Sequence, residues 1–559
     1  MSTHHTSRSR RHRPRGAAAA IAVTLSLSLF LAACGSSADE EGGGQVADPV
    51  SGGTLKFAIN SDTNCLDPHQ SPADIAGFFS RPILDSLVAL NEDGTLDPWL
   101  ATEWSVSDDQ LTYSFTLRDD VTFSNGEKFD GEAVKANLDH IVAPETKSQL
   151  AANTIATYAG TKVVDATHVE VSFKEPNSAF LPSLASAYLG MEAPSTLEQT
   201  PDKLCASIVG TGPFVSEAGY RPNKGIAYTR NEDYAWAPGN ADHEGKAYLD
   251  AIDIQIITED SSRYGALTSG QVDAIGSVPP VNVAQLKKTD GFTVETVQAP
   301  GGNYNYYPNQ SKGVFSDKSV RGAFRAGIDW DTLIEKRYFG VFQPAKGPLA
   351  PTTVGYDKSI ESAYVYDRAK AEKLLDEAGW NERDSDGYRT KDGKRLTVVH
   401  PFLKAFAREQ RDTLLEQVQA AAKEIGIDYV IDAISIDDFY ERLYSGDYDV
   451  LDTSWQRASP DSLRTLFGVE NIPGPGKFGT NFGHYDNAEV QADLVAGLGE
   501  VDLDKQSAIY ARAQQQITED VAVFPIYVFN YVLGRSEALQ GVRFEPQAFP
   551  TFYDAWKSK

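Results

Sequence analysis

The chain has 559 residues, of which 51 are basic and 78 acidic, giving a formal net charge of −27, and 41% of its residues are apolar. That charge, with no cluster of lysine or arginine after Arg15, excludes nucleic acid and anionic lipid headgroups as general partners. The length and apolar share allow substantial cores divided over two or three lobes.

Arg8, Arg10, Arg11, Arg13 and Arg15 precede the run AAAAIAVTLSLSLFLAA, the basic and apolar regions of an export signal. The run is too short and too rich in Ser and Thr for a stable membrane span, and no second span follows it. Its end, Leu31-Ala32-Ala33-Cys34, resembles the lipobox of bacterial lipoproteins. That resemblance implies a lipoprotein signal peptide over residues 1–33 and lipidation of Cys34; an ordinary cleavage site beside an incidental cysteine is the alternative. Residues 34–52 lack the apolar content to form a core and read as a flexible tether. Loss of the five arginines takes the net charge from −27 to about −32. Sec and twin-arginine export both stay open. Outside the cell Cys65 and Cys205 are expected to form a disulfide, with two separate buried thiols as the alternative.

From Gly53 the text alternates short β-rich runs with amphipathic helices: GTLKFAIN, then DIAGFFSRPILDSLVAL; YSFTLRDDVTF, then DGEAVKANLDHIV. Asp367 is placed to cap the helix RAKAEKLLDEAG, which Gly379 stops. The helix REQRDTLLEQVQAAAKEIG ends at Gly426 and feeds the strand IDYVIDAIS. Near the C-terminus, YARAQQQITEDVAVFPIYVFNYVLG reads as a helix followed by a strongly apolar strand. The pattern is mixed, α/β or α+β, and not a repeat array.

Several motifs point away from chemistry. NERDSDGYRTKDGKRL starts like a calcium loop, but Gly393 stands where a bidentate glutamate is required, so it reads as hairpin turns. VGTGPF has glycines without either phosphate-loop spacing. The six histidines after the signal region are scattered, so His69 is not assigned to a metal, and no metal or cofactor is expected. No G-x-S-x-G nucleophile motif occurs, although a carboxylate pair of the glycosidase type is not eliminated.

The ordered set GGTLKFAINSDTNCLDPHQSP, LDSLVALNEDGTLDPWLATEWSVSDDQLTYSFTLRDD, VGTGPF, RYGALTSGQVDAI, YDRAKAEKLLDEAGW, TSWQRASPDSL and IYARAQQQITEDVAVFPIYV resembles the extracytoplasmic solute-binding proteins, family 5, that serve oligopeptide and dipeptide ABC importers. The resemblance covers nearly everything from Gly53 to Tyr531. It implies a two-lobed periplasmic-binding-protein-like fold with an extra subdomain and a ligand cleft between lobes. The expected divisions are lobe I over 53–298, including a subdomain at about 96–204, lobe II over 299–525, and a return to lobe I over 526–559. It further implies a binding protein and not an enzyme, monomeric, held to the cell membrane by lipid, with an ABC permease and ATPase as partners. A secreted hydrolase and a ligand-sensing lipoprotein are the alternatives.

Peptide-binding members are implied to hold the ligand ammonium with an aspartate just after a tryptophan. Here Trp455 is followed by Gln456, Arg457 and Ala458, so the acid is absent and a guanidinium stands in its neighbourhood. Arg457 in a dry cleft would favour a carboxylate or a chelate's acidic face; paired with Asp461, it would be only structural. Asp461 is also placed to replace the missing acid. Trp455 is a candidate apolar wall. In GGNYNYYPNQ the alternation of a strand leaves Asn303, Tyr304 and Asn305 as candidates to face the cleft. Ser71, Pro72 and Ala73, followed by Asp74, match the place where family members run backbone past the ligand.

Overall fold

The computed structural model describes residues 48–404 and 407–558, and Pro49–Lys559 form one compact unit. Cys34, the apolar run before it and nearly all of the tether lie outside the described residues.

Strand Thr54–Ile59 carries Leu55, Phe57, Ala58 and Ile59 because it is central and covered on both faces. Phe57 enters a core with Phe78 and Phe552, while Ala58 enters another with Leu267 and Ile275. It runs parallel to Ala251–Ile256 and Ala274–Ile275. The strand order of this first sheet is Phe292–Gln298, Asn530–Ser536, Ala274–Ile275, Thr54–Ile59, Ala251–Ile256, Gly225–Arg230, Phe214–Val215. The run DIAGFFSRPILDSLVAL, expected as one helix, is helical only over Asp74–Ser80. Pro82 has no N–H to extend the ladder, and the chain goes on to a short strand, Val88–Leu90. The glycines of VGTGPF serve packing: a Cβ at Gly210 would stand 2.1 Å from the Ile83 carbonyl oxygen. Cys65 and Cys205 are joined, with Cα atoms 4.1 Å apart.

A separate antiparallel sheet has the order Ala101–Val106, Thr112–Leu117, His168–Phe173, Tyr158–Asp165. Helix Gly131–Val142 covers it. Asp130 caps that helix by accepting from the N–H groups of Glu132 and Ala133. Its Val134, Leu138 and Ile141 share a core with Phe115, Val169 and Val171.

The second lobe is built on an antiparallel sheet ordered Gln343–Pro344, Phe524–Val528, Gly301–Pro308, Val450–Gln456. The chain leaves the first sheet after Gln298 and enters the second at Gly301; it returns between Val528 and Asn530. The C-terminal apolar run is therefore two strands in two sheets where one was expected. The crossing segments lie side by side, the Ala299 N–H donating to the Phe529 carbonyl at 3.0 Å. Around this sheet, helix Arg368–Glu377 is capped by Asp367, and Thr397–Phe402 pairs in parallel with Asp428–Ala433 through helix Arg411–Glu424. Gly379 and Gly426, which end these helices, have φ of +88° and +85°, a region that favours glycine. The acidic loop is a set of hairpin turns joining Glu382–Arg383, Arg389–Lys391 and Lys394–Arg395. Its Asp384 and Asp386 are each paired with Arg395 at 2.7 Å.

Candidate functional site

Two adjoining cavities, of about 220 and 850 Å³, lie between the lobes and share Leu90, Ala179, Pro182, Ala458, Ser459 and Glu545 in their walls. Trp455, Arg457 and Asp461 line the smaller one, opposite Tyr188 and Ser186. Trp455 is at the end of the strand Val450–Gln456, so sheet pairing with Gly302 fixes its position. Arg457 follows where that pairing stops.

The Arg457 guanidinium stands 4.9 Å from the centre of the Tyr188 ring and 5.1 Å from that of Trp455. Both contacts are favourable cation–π geometries for a side chain that is 16% exposed. Its charge partner is Asp74, at the first position of helix Asp74–Ser80 on the opposite lobe, with Nη1 3.5 Å from Oδ1. Arg408 approaches the other Asp74 oxygen at 3.8 Å. Asp74 thus bridges two arginines of the second lobe. The Arg457 Nε is buried with no hydrogen-bond partner, so the guanidinium retains unused donor capacity.

Several expected site residues are placed elsewhere. Asp461 does not pair with Arg457: its two oxygens take Arg464 at 3.0 and 2.8 Å, and one also accepts from Tyr510 at 3.1 Å. Burial raises the Asp461 carboxyl above its ordinary range against the opposing charge of Arg464. With its acceptors engaged, Asp461 is not a free replacement for the missing acid. Gln456 is 2% exposed and turned inward. Neither face of Gly301–Pro308 opens to the cleft, because all eight residues are buried. Asn303 donates to the carbonyls of Gly347 and Leu349, and Asn305 to that of Pro348. Period-two alternation misled here because the strand is central and packed on both faces.

Tyr304 belongs instead to a buried network inside the second lobe. Its hydroxyl donates to Asp452 at 2.6 Å, and Arg411 lies 4.0 Å over its ring. Arg411 also donates to the Tyr527 hydroxyl at 2.8 Å and pairs with Glu409 at 2.9 Å. Burial pushes the Asp452 carboxyl up, but hydrogen bonds from His400 and Tyr304 and the Arg411 charge outweigh it, holding it below the ordinary range. Of the first-lobe candidates, Ser71 is buried, its Oγ accepting from the Ala73 N–H. The Ala73 carbonyl accepts from the Tyr188 hydroxyl at 2.9 Å. The segment therefore supports the ring that stacks on Arg457. Tyr188, Arg408 and Glu545 were not singled out from the sequence, where nothing local marks them.

Two lobes joined by adjacent crossing strands over an interlobe cleft define a substrate-binding protein of the extracytoplasmic type. Residues 95–469 match the family model for bacterial extracellular solute-binding proteins, family 5. The chain belongs to that family, the solute-binding class of ABC importers. Among curated relatives, the glutathione-binding protein GsiB of Salmonella paratyphi A is 28% identical over 511 residues, covering 89% of this chain and 93% of the relative. GsiB of Escherichia coli O1:K1 is 27% identical with the same coverage. Among solved structures, Helicobacter pylori DppA in complex with the peptide STSA matches with a TM-score of 0.77 and 24% identity over 91% of this chain and 99% of that one. Bacillus subtilis AppA in complex with a nonapeptide matches with a TM-score of 0.78 and 20% identity, covering 92% and 100%. These two share the fold.

Proposed function

We propose that this protein captures a small anionic, peptide-like solute between the Asp74 wall and the Arg457 wall, and passes it to the permease and ATPase of an importer. It acts by binding alone, as a monomer outside the cytoplasm, anchored by lipid on Cys34. The observation that carries the reading is Arg457: a largely buried guanidinium between two aromatic faces, with one long ion pair and an unpartnered Nε. A ligand carboxylate would supply the paired, charge-assisted hydrogen bonds that Asp74 supplies only weakly. The curated relatives named for glutathione are consistent with this, since glutathione is a peptide with two carboxylates.

Hinge closure follows from the same geometry. With residues 53–298 and 530–559 as one lobe and 301–528 as the other, a ligand touching both walls binds the closed form better and shifts the population toward it. Isothermal titration of the unit Pro49–Lys559 with glutathione, neutral and amidated dipeptides, organic acids and metal chelates tests the reading. Binding that requires a free carboxylate and is lost in Arg457→Ala is expected. Equal binding of amidated and free peptides by both proteins would overturn it.

A further inference from the structure

Outside the linings of the two cavities, where the extra sheet's helix meets the first lobe, two segments bring metal-type donors together. Asp67 and His69 follow the disulfide cysteine Cys65, and Glu192 lies on the segment after Gly190. Asp67, His69 and Glu192 are all fully buried, and one donor atom of each lies within 4.8 Å of the others. His140, in the last turn of Gly131–Val142, points its Nδ1 at the His69 Nδ1 at 3.2 Å.

The hydrogen bonds dictate which atoms are free. The His69 Nε2 lies 3.0 Å from the Gly190 carbonyl oxygen, which can only accept, so Nε2 carries the proton and Nδ1 keeps its lone pair. An imidazole that donates one N–H to a backbone carbonyl and presents the other nitrogen has the arrangement of a metal ligand. The His140 Nδ1, 3.2 Å away, is within hydrogen-bonding distance of that lone pair and holds the His69 ring in place. Asp67 accepts from the His69 N–H at 2.7 Å and from Gln70 at 2.6 Å. Glu192 is different. Asn137 clamps its backbone carbonyl and N–H, both at 2.8 Å, yet neither carboxylate oxygen has a partner. A fully buried carboxylate beside a second one is costly unless a proton or a cation joins them.

We propose that Asp67, His69 and Glu192 form a structural site for a divalent transition-metal ion, zinc being the type that an imidazole with two carboxylates suits. The ion ties the loop after the first strand to the segment at Glu192, which Asn137 of the helix over the extra sheet already clamps. A bound metal stabilises the folded chain, since these donors converge only there.

The test uses the unit Pro49–Lys559, which lacks His4, His5 and His12. After EDTA treatment and removal of the chelator, Zn²⁺ is titrated and bound metal is counted by mass spectrometry, alongside thermal melting. Wild type is expected to hold about one equivalent and to melt at least about 5 °C higher with the metal. Glu192→Gln, whose amide can donate to Asp67 and so preserve the fold, is expected to melt like the metal-free wild type and to lose both the equivalent and the shift. Two outcomes would overturn the proposal. Wild type could fail to retain zinc or respond to it, in which case the two carboxylates share a proton; or Glu192→Gln could bind zinc as wild type does, in which case surface acids hold it.

Discussion

Arg457 and Asp74 stand 383 residues apart in sequence and 3.5 Å apart across the cleft, each side chain 16% exposed. Asp74 is an internal anion sitting on the guanidinium that a ligand carboxylate would need. Asp74→Asn is therefore expected to tighten binding of carboxylate ligands by about tenfold, or about 1.4 kcal/mol. Arg457→Ala is expected to weaken it by 2–3 kcal/mol, roughly 30- to 150-fold. Isothermal titration of the two variants with one ligand measures both; weakening by Asp74→Asn would mean that Asp74 holds the ligand and does not compete with it.

Arg411 gives a stability prediction. It is 6% exposed, stacked on Tyr304 and paired with the equally enclosed Glu409. Replacing it by Met leaves that carboxylate buried and uncompensated, which costs on the order of 3–5 kcal/mol. The double change Arg411→Met, Glu409→Gln should recover much of the loss. Urea midpoints of the three variants read this out.

Asp85 predicts a pH dependence. Burial raises its carboxyl to about 7, against hydrogen bonds from Thr211 and Trp236, each at 2.9 Å. Its folded pKa thus lies above the unfolded value near 3.8. The folded chain holds the extra proton, so the contribution of Asp85 to stability is fully present below about 4 and declines up to about 7, by roughly 1.4 kcal/mol per pH unit. In Asp85→Asn that decline should vanish, and the variant should gain on wild type as pH rises from 4 to 7. Denaturation midpoints at three pH values check the sign.

The bond between Cys65 and Cys205 closes a stretch with a sequence separation of 140. In the chain-entropy account, opening a loop of that size costs about 5 kcal/mol at most. Cys205→Ser is expected to lower stability by 2–5 kcal/mol, and a reductant should lower the wild-type melting point while leaving the variant's unchanged.

What could be read from the sequence was what is decided locally. Asp367 caps its helix, Gly379 and Gly426 stop theirs, and the acids of the false calcium loop fold into turns, because each outcome depends on a few neighbouring residues. The family's ordered phrases carried the two-lobed fold. Pairings between distant segments were not legible: nothing near Arg457 in the text names Asp74 or Tyr188 as its neighbours. Alternation in GGNYNYYPNQ gave no warning that both faces of the strand would be covered. The isolated histidine at position 69 gained meaning only when folding set it beside Glu192 and His140.

The strand Asn530–Ser536 lies between Phe292–Gln298 and Ala274–Ile275. The other six strands of the first sheet have left the ribosome long before it, yet the place it fills is internal, with backbone groups of both neighbours waiting for partners. The first half of the chain therefore cannot complete its own architecture while the second half is still being made. A chain lacking the residues from 530 onward would present two open strand edges, one on each of those neighbours. The first sheet is continuous only because a strand from beyond the second lobe comes back to fill it.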